Sequence, residues 1–228
     1  MKKSKTIKII ILSYFLLSFY EWFLHKFVMH GNPKILKKIP LISNYLLETN
    51  KHHIDHHKEV DMDMKLNTIS RKESLFFNWK VSYVFYIVYF ITLYIIIKPK
   101  NIILFSLYVT LIILMECFLW NNIHNDMHDS NITISMKEGF PNHPGLLSKG
   151  PIYRYLWKQH ALHHLQKNNK GNFNIIFPGF DLLVGSYQSK MYDNLDYCKE
   201  NPNNNRVCKN KLLIKKIITN NDVLPKQI

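Results

Sequence analysis

The sequence predicts an all-α membrane protein with about three transmembrane helices and a cytosolic helical cap holding a histidine-rich dimetal site. Three observations lead there. Long uncharged apolar runs alternate with strongly polar segments, so 47% hydrophobic residues coexist with a slightly negative mean hydropathy. Ten of the twelve histidines fall into four short clusters. Two of these, His53-Ile54-Asp55-His56-His57 and His160-Ala161-Leu162-His163-His164, share the spacing i, i+3, i+4, which turns three imidazoles to one face of a helix.

At 228 residues the chain is one membrane-embedded domain, 1–190, followed by a polar, Asn-rich tail, 191–228. The net charge of +14 fits an anionic membrane surface or simple solvation. No basic stripe interleaved with stacking aromatics lies outside the apolar runs, so no nucleic-acid partner is expected. Cys117, Cys198 and Cys208 form no C-x-x-C pair and read as reduced bystanders, as suits a chain facing the cytosol.

Residues 1–8 are basic and 9–24 almost wholly apolar. No small-residue cleavage site follows, so an uncleaved membrane helix is expected rather than a signal peptide. Glu21 precedes His25 by four residues. It reads equally as an interfacial charge or as a partner orienting that imidazole. His25 and His30 come next, and Gly31-Asn32-Pro33 should stop the helix. Residues 34–50 read as a short amphipathic connector leading to the 53–57 cluster.

Residues 81–97 carry no charge, and 102–120 carry only Glu116. With the turn Lys98-Pro99-Lys100-Asn101 between them they read as a transmembrane hairpin. Glu116 lies eight residues before His124. It is either a structural hydrogen-bonding group between helices or an acid beneath the histidine. His124 and His128 form an i, i+4 pair, a common two-ligand arrangement. Residues 130–150 are rich in Gly and Pro and read as a loop. His143-Pro144-Gly145 in that loop is similar to a haem-binding signature of cytochrome b5 without the surroundings that would support one. Residues 153–166 have helical spacing. Residues 172–186 are apolar but broken by Pro and Gly, and are expected to lie at the bilayer surface.

If 9–24, 81–97 and 102–120 all cross, the four clusters lie on one side of the membrane. That side carries most of the 30 Lys and Arg, which orients the cage toward the cytosol. A structural zinc site needs about four ligands. Ten histidines therefore suit two metals: His25, His30, His53, His56, His57, His124, His128, His160, His163 and His164. His52 and His143 fall outside the clusters. No catalytic group separate from these ligands is expected.

These boxes, separated by hydrophobic hairpins, resemble the fatty-acid hydroxylase and sterol desaturase superfamily of membrane-bound histidine-box di-iron oxygenases. The resemblance runs from Glu21 to Ser186. It rests on Glu21-Trp22-Phe23-Leu24-His25 through His30, on 53–57, and on Lys158-Gln159-His160 through His164. It rests also on Asn172-Phe173-Asn174 and on Asp181-Leu182-Leu183-Val184-Gly185-Ser186, similar to the superfamily's closing segment.

The resemblance implies the ten histidines as ligands of two irons (a cage that also accepts zinc), O2 as co-substrate, and a lipid substrate. It also implies an external electron donor such as cytochrome b5 with its reductase, and in a eukaryotic cell a multi-pass protein of the endoplasmic reticulum. Asn121-Asn122-Ile123 before His124 departs from the Tyr-Asp that often precedes this box in fatty-acyl hydroxylases, while Tyr153-Arg154-Tyr155-Leu156 is similar to carotenoid hydroxylases. The substrate stays open among fatty acyl, sphingolipid, sterol and carotenoid. A desaturase using the same site, a non-enzymatic membrane metal-binding or transport protein, and an inactive member are the competing readings.

Overall fold

The computed structural model describes residues 3–60, 64, 79–128, 133–135, 140–142, 147, 150–164 and 171–188. The expected tail 191–228, His143, Cys198 and Cys208 lie outside them.

Helix α1, Lys3–Phe23, runs without a break into a π-helical turn, Leu24–Met29. Gly31-Asn32-Pro33 ends it as expected: a Cβ on Gly31 would collide with the Phe27 carbonyl, and the Asn32 side chain accepts from the Lys34 amide at 2.9 Å to start α2, Pro33–Leu36. The connector expected over 34–50 is half helix, because α3 already begins at Ser43 and extends to Glu59. Helices α4, Trp79–Ile97, and α5, Ile102–Leu119, form the hairpin. At its turn Lys98 adopts a left-handed φ of 49°, and Asn101 caps α5 by accepting from Leu104 at 3.0 Å. A second π turn, Trp120–His124, continues α5 into α6, Asn125–Met127. Within the stretch expected to be a loop, Thr133–Ser135 (β1) and Phe140–Asn142 (β2) pair antiparallel, Ile134 opposite Pro141. Helices α7, Gly150–His164, and α8, Phe180–Leu183, follow.

Two helices, rather than the expected three, are long and apolar enough to cross a membrane among the described residues: Ile7–Met29 and Ile102–Met127. The apolar part of α4 is the shorter Tyr83–Ile97. All three carry apolar side chains around their whole circumference. Leu16, Leu17, Tyr89, Leu93, Val109 and Ile113 are buried against one another, while Ile11, Ile95, Ile103, Leu104 and Leu111 point outward and are more than 60% exposed. Such a surface would aggregate in water and is satisfied by lipid, so the protein is membrane-associated. Hydroxyls tie the three helices together: Ser13 with Tyr108 at 2.7 Å, Tyr20 with Thr92 at 2.5 Å, and Tyr89 donating to the Ser13 carbonyl at 3.1 Å. In an apolar surround these are the contacts that fix helix register.

Candidate metal centre

His25 and His30 are five residues apart. On an α-helix that spacing would leave their side chains about 140° apart around the axis. The π turn removes the difference. The His30 amide donates to the His25 carbonyl at 3.0 Å, an i→i+5 bond, and the two rings stack with centroids 5.1 Å apart and planes at 19°. Asn50 of α3 closes the turn from the side. Its buried amide nitrogen lies 2.9, 2.9 and 3.0 Å from the carbonyls of Val28, Met29 and Gly31. Sequence reasoning missed Asn50, whose only signal was a polar residue three positions before His53 on the same helical face.

The histidines form two groups. His25, His30, His53, His57 and His163 bring one nitrogen each within 4.8 Å of the others, and His56, His128, His160 and His164 do the same. Each pentapeptide is shared between them. Helix α3 gives His53 and His57 to the first group and His56 to the second, whereas α7 gives His160 and His164 to the second and His163 to the first. The groups meet where His57 and His164 stack, centroids 4.1 Å apart. His124 belongs to neither group. Its ring sits at the edge of the second, 4.8 Å from His160 and 5.1 Å from His128, stacked on Trp120 at 4.9 Å. His52 is exposed on α3.

The geometry fits metal ions. A carbonyl can only accept, so three rings must carry their proton on Nδ1: His25 donates to Phe173 at 2.7 Å, His163 to Gly171 at 2.8 Å and His128 to Met64 at 3.0 Å. Their Nε2 atoms are then bare lone pairs when the rings are neutral. Yet His25 Nε2 lies 3.1 Å from His53 Nε2, which is itself 3.0 Å from the Nε2 atoms of both His30 and His57. His128 Nε2 lies 2.7 Å from His160 Nε2, and His56 Nε2 3.3 Å from His164 Nε2. One nitrogen cannot satisfy three others with a single proton, whereas a cation at their centre attracts every lone pair. With metal–nitrogen bonds of about 2.1 Å, ligands at right angles stand about 3.0 Å apart and tetrahedral ones about 3.4 Å. The separations in the first group match the crowded, more-than-four-coordinate case.

Protonation agrees. Burial, reinforced by the His163 imidazole, pushes His30 down to about 3, and burial takes His163 to about 4 against the opposing hydrogen bond to Gly171. Burial and then neighbouring imidazoles hold His53, His56, His57, His160 and His164 well below the ordinary value. These seven rings are therefore held toward the neutral form at physiological pH, the state in which imidazole binds metal.

The carbonyls that fix His25 and His163 belong to residues 171–188. This segment was expected at the bilayer surface; residues 171–177 are buried against α1, while 182–185 and Gln188 are exposed. Glu21 accounts for much of that. Its carboxylate accepts from the amides of Ile176 at 2.7 Å and Phe177 at 2.9 Å and from the Asn174 side chain at 3.3 Å. It neither sits as an interfacial charge nor touches His25, but holds the strand of backbone whose Phe173 carbonyl does. Asp181 accepts from the Asn174 amide at 2.6 Å and from the Ser186 hydroxyl, and Ser186 accepts from the Trp22 indole at 2.9 Å. Asn172 and Gln188 close the end of the clip with two 2.9 Å bonds. Buried Glu116 makes no hydrogen bond through one carboxylate oxygen.

No protein-family model matches the chain, no curated protein matches it in sequence, and no solved structure matches it in fold. The histidine cluster at the ends of two apolar helices of membrane-spanning length is consistent with the di-iron histidine-box membrane superfamily.

Proposed function

We propose that the protein is a membrane-bound, O2-dependent di-iron oxygenase that hydroxylates a lipid C–H bond, with the nine grouped histidines as its metal ligands and His124 at the edge of the second group. The observation that carries this reading is the pairing of two adjacent, neutral, nitrogen-only groups, one of them five-membered. Two irons held there would supply the oxidant that an unactivated C–H bond requires and that no side chain provides. His25, His163 and His128 would present Nε2 as the ligand atom, because backbone carbonyls occupy their Nδ1 protons. Buried Phe173, packed against the rings of His25, His30 and His163, would help keep water from the reacting atoms.

Topology supports a third crossing by α4. The described ends of α1 and α5 both lead into the cage, so α5 starts on the opposite side, and α4 is the element that carries the chain there. The excess of Lys and Arg on the cage side supports a cytosolic site, with electrons delivered by an external donor such as cytochrome b5 and its reductase, and in a eukaryotic cell a place in the endoplasmic reticulum. A tail, 191–228, beyond a membrane-embedded domain, 1–190, completes the reading.

The test is lipid mass spectrometry of iron-supplemented cells expressing the chain with a reductase system, beside His164→Ala. A lipid heavier by one oxygen, absent in the variant, is expected. A lipid lacking two hydrogens would replace hydroxylation with desaturation. Unchanged lipids from protein carrying two irons per chain would sink the oxygenase reading.

A further inference from the structure

A second feature lies outside the histidine cage. The end of α1, its π turn, α2 and the first half of α3 enclose a cleft of about 470 Å³ with the near end of α4. Leu24, Val28, Leu36, Leu46, Phe85 and Val88 contribute to its wall, and no histidine does. Its wall follows the last turns of the apolar span Ile7–Met29, from Tyr20 to Met29, so it lies near one end of that span. Above it the chain continues in helical turns to Ile39, through the bonds from Lys37 to Pro33, Lys38 to Ile35 and Ile39 to Leu36. On those turns Lys34, Lys37 and Lys38 share one face at spacing i, i+3, i+4 and are exposed. Ile35 and Ile39, on the other face, line the cleft. Beyond them Leu41 holds a left-handed φ of 68° and is 99% exposed.

We propose that this cleft is a binding site for an anionic membrane lipid, one acyl chain lying in the cleft and the phosphate held by Lys34, Lys37 and Lys38. Charge and shape both select that occupant. An apolar slot at the end of the span accepts a hydrocarbon chain, and three exposed cations on the same helical turns as its wall residues Ile35 and Ile39 would be neutralised by a phosphodiester. The exposed Leu41 side chain would enter the same leaflet. The lipid is a bound component rather than the reacting one, since the π turn's backbone separates the cleft from His25 and His30. The site stands whether or not the cage is an oxygenase.

Native mass spectrometry of the delipidated full chain in detergent tests it, with phosphatidylglycerol and phosphatidylcholine of matched acyl chains as probes. One phosphatidylglycerol per chain is expected, preferred by about 100-fold at roughly fivefold per lysine. The triple variant Lys34→Gln, Lys37→Gln, Lys38→Gln should reduce the preference to a few-fold, and Val88→Trp should displace the lipid by filling the cleft. The lysines are exposed, so the triple variant does not depend on core repacking, and unchanged zinc content reports an intact cage. Equal retention of both lipids, or a preference that survives the triple variant, would overturn the proposal. So would a dimer that forms in place of lipid binding and is lost in Val88→Trp.

Discussion

The Nδ1 proton of His25 is donated to the carbonyl of Phe173, 2.7 Å away in space and 148 residues away in sequence. That bond fixes which nitrogen of His25 faces the cage, and Glu21 holds the backbone that supplies it.

Glu21→Ala should therefore weaken the first metal group without removing a ligand. Two buried amides lose their acceptor, at about 1–3 kcal/mol each, and metal affinity should fall roughly 10- to 100-fold, the usual cost of disturbing a ligand's outer partner. Chelator competition with zinc on the purified chain measures this. Unchanged affinity in a folded variant would show that the clip does not orient His25.

The π turn makes a sharper prediction. Inserting one alanine after Phe27, an exposed residue within it, puts the two histidines six apart, about 120° around an α-helical axis, and should swing His30 away from His25. Metal at the first group should be lost and metal at His56, His128, His160 and His164 retained, so stoichiometry falls from two toward one. Elemental analysis beside the wild type reads it directly; two metals per chain in the insertion variant would contradict the geometry.

Single alanines rank the histidines. His164→Ala should lose the second metal. His124→Ala, at the edge of that group, should keep it with affinity reduced roughly 10- to 100-fold. His52→Ala should change neither, because that ring is exposed and in no group. Isothermal titration with zinc distinguishes the three.

Acid should destabilise the metal-free protein. The folded values lie below the ordinary 6.5, at about 3 for His30 and about 4 for His163, so between those limits the unfolded chain binds more protons. Stability from these groups is complete above about pH 6.5 and is lost as pH falls through the folded values. Thermal melts of chelator-treated protein from pH 8 to pH 4 should show Tm dropping with acid; a flat or rising profile would mean that the imidazoles are already solvated.

The helices and the histidine clusters were legible in the sequence because both rest on local periodicity. Helical faces at 53–57 and 160–164 and the apolar runs follow from spacing alone. What was hidden depends on local departures or distant partners. The register of His25 with His30 needs a π turn, which a 3.6-residue period does not encode. Glu21 looked like a partner for the nearest histidine on its own face, yet its partners are amides more than 150 residues away. Residues 172–186 were expected at the bilayer surface because Pro178, Gly179 and Gly185 break up the run, yet 172–177 are buried, and Gly171 beside them lets the backbone close up: a Cβ there would strike the Ser186 carbonyl. Of the apolar run expected over 81–97, the described part is Tyr83–Ile97, within a helix that begins at Trp79.

The crossed sharing of α3 and α7 makes the two metal groups mesh like gears. Rolling α3 so that His56 advances into the second group withdraws His53 and His57 from the first, and α7 responds in the opposite sense through His163 against His160 and His164. A change of roll in either helix would therefore act on both groups at once, and an ion held in one would bias the spacing of the other.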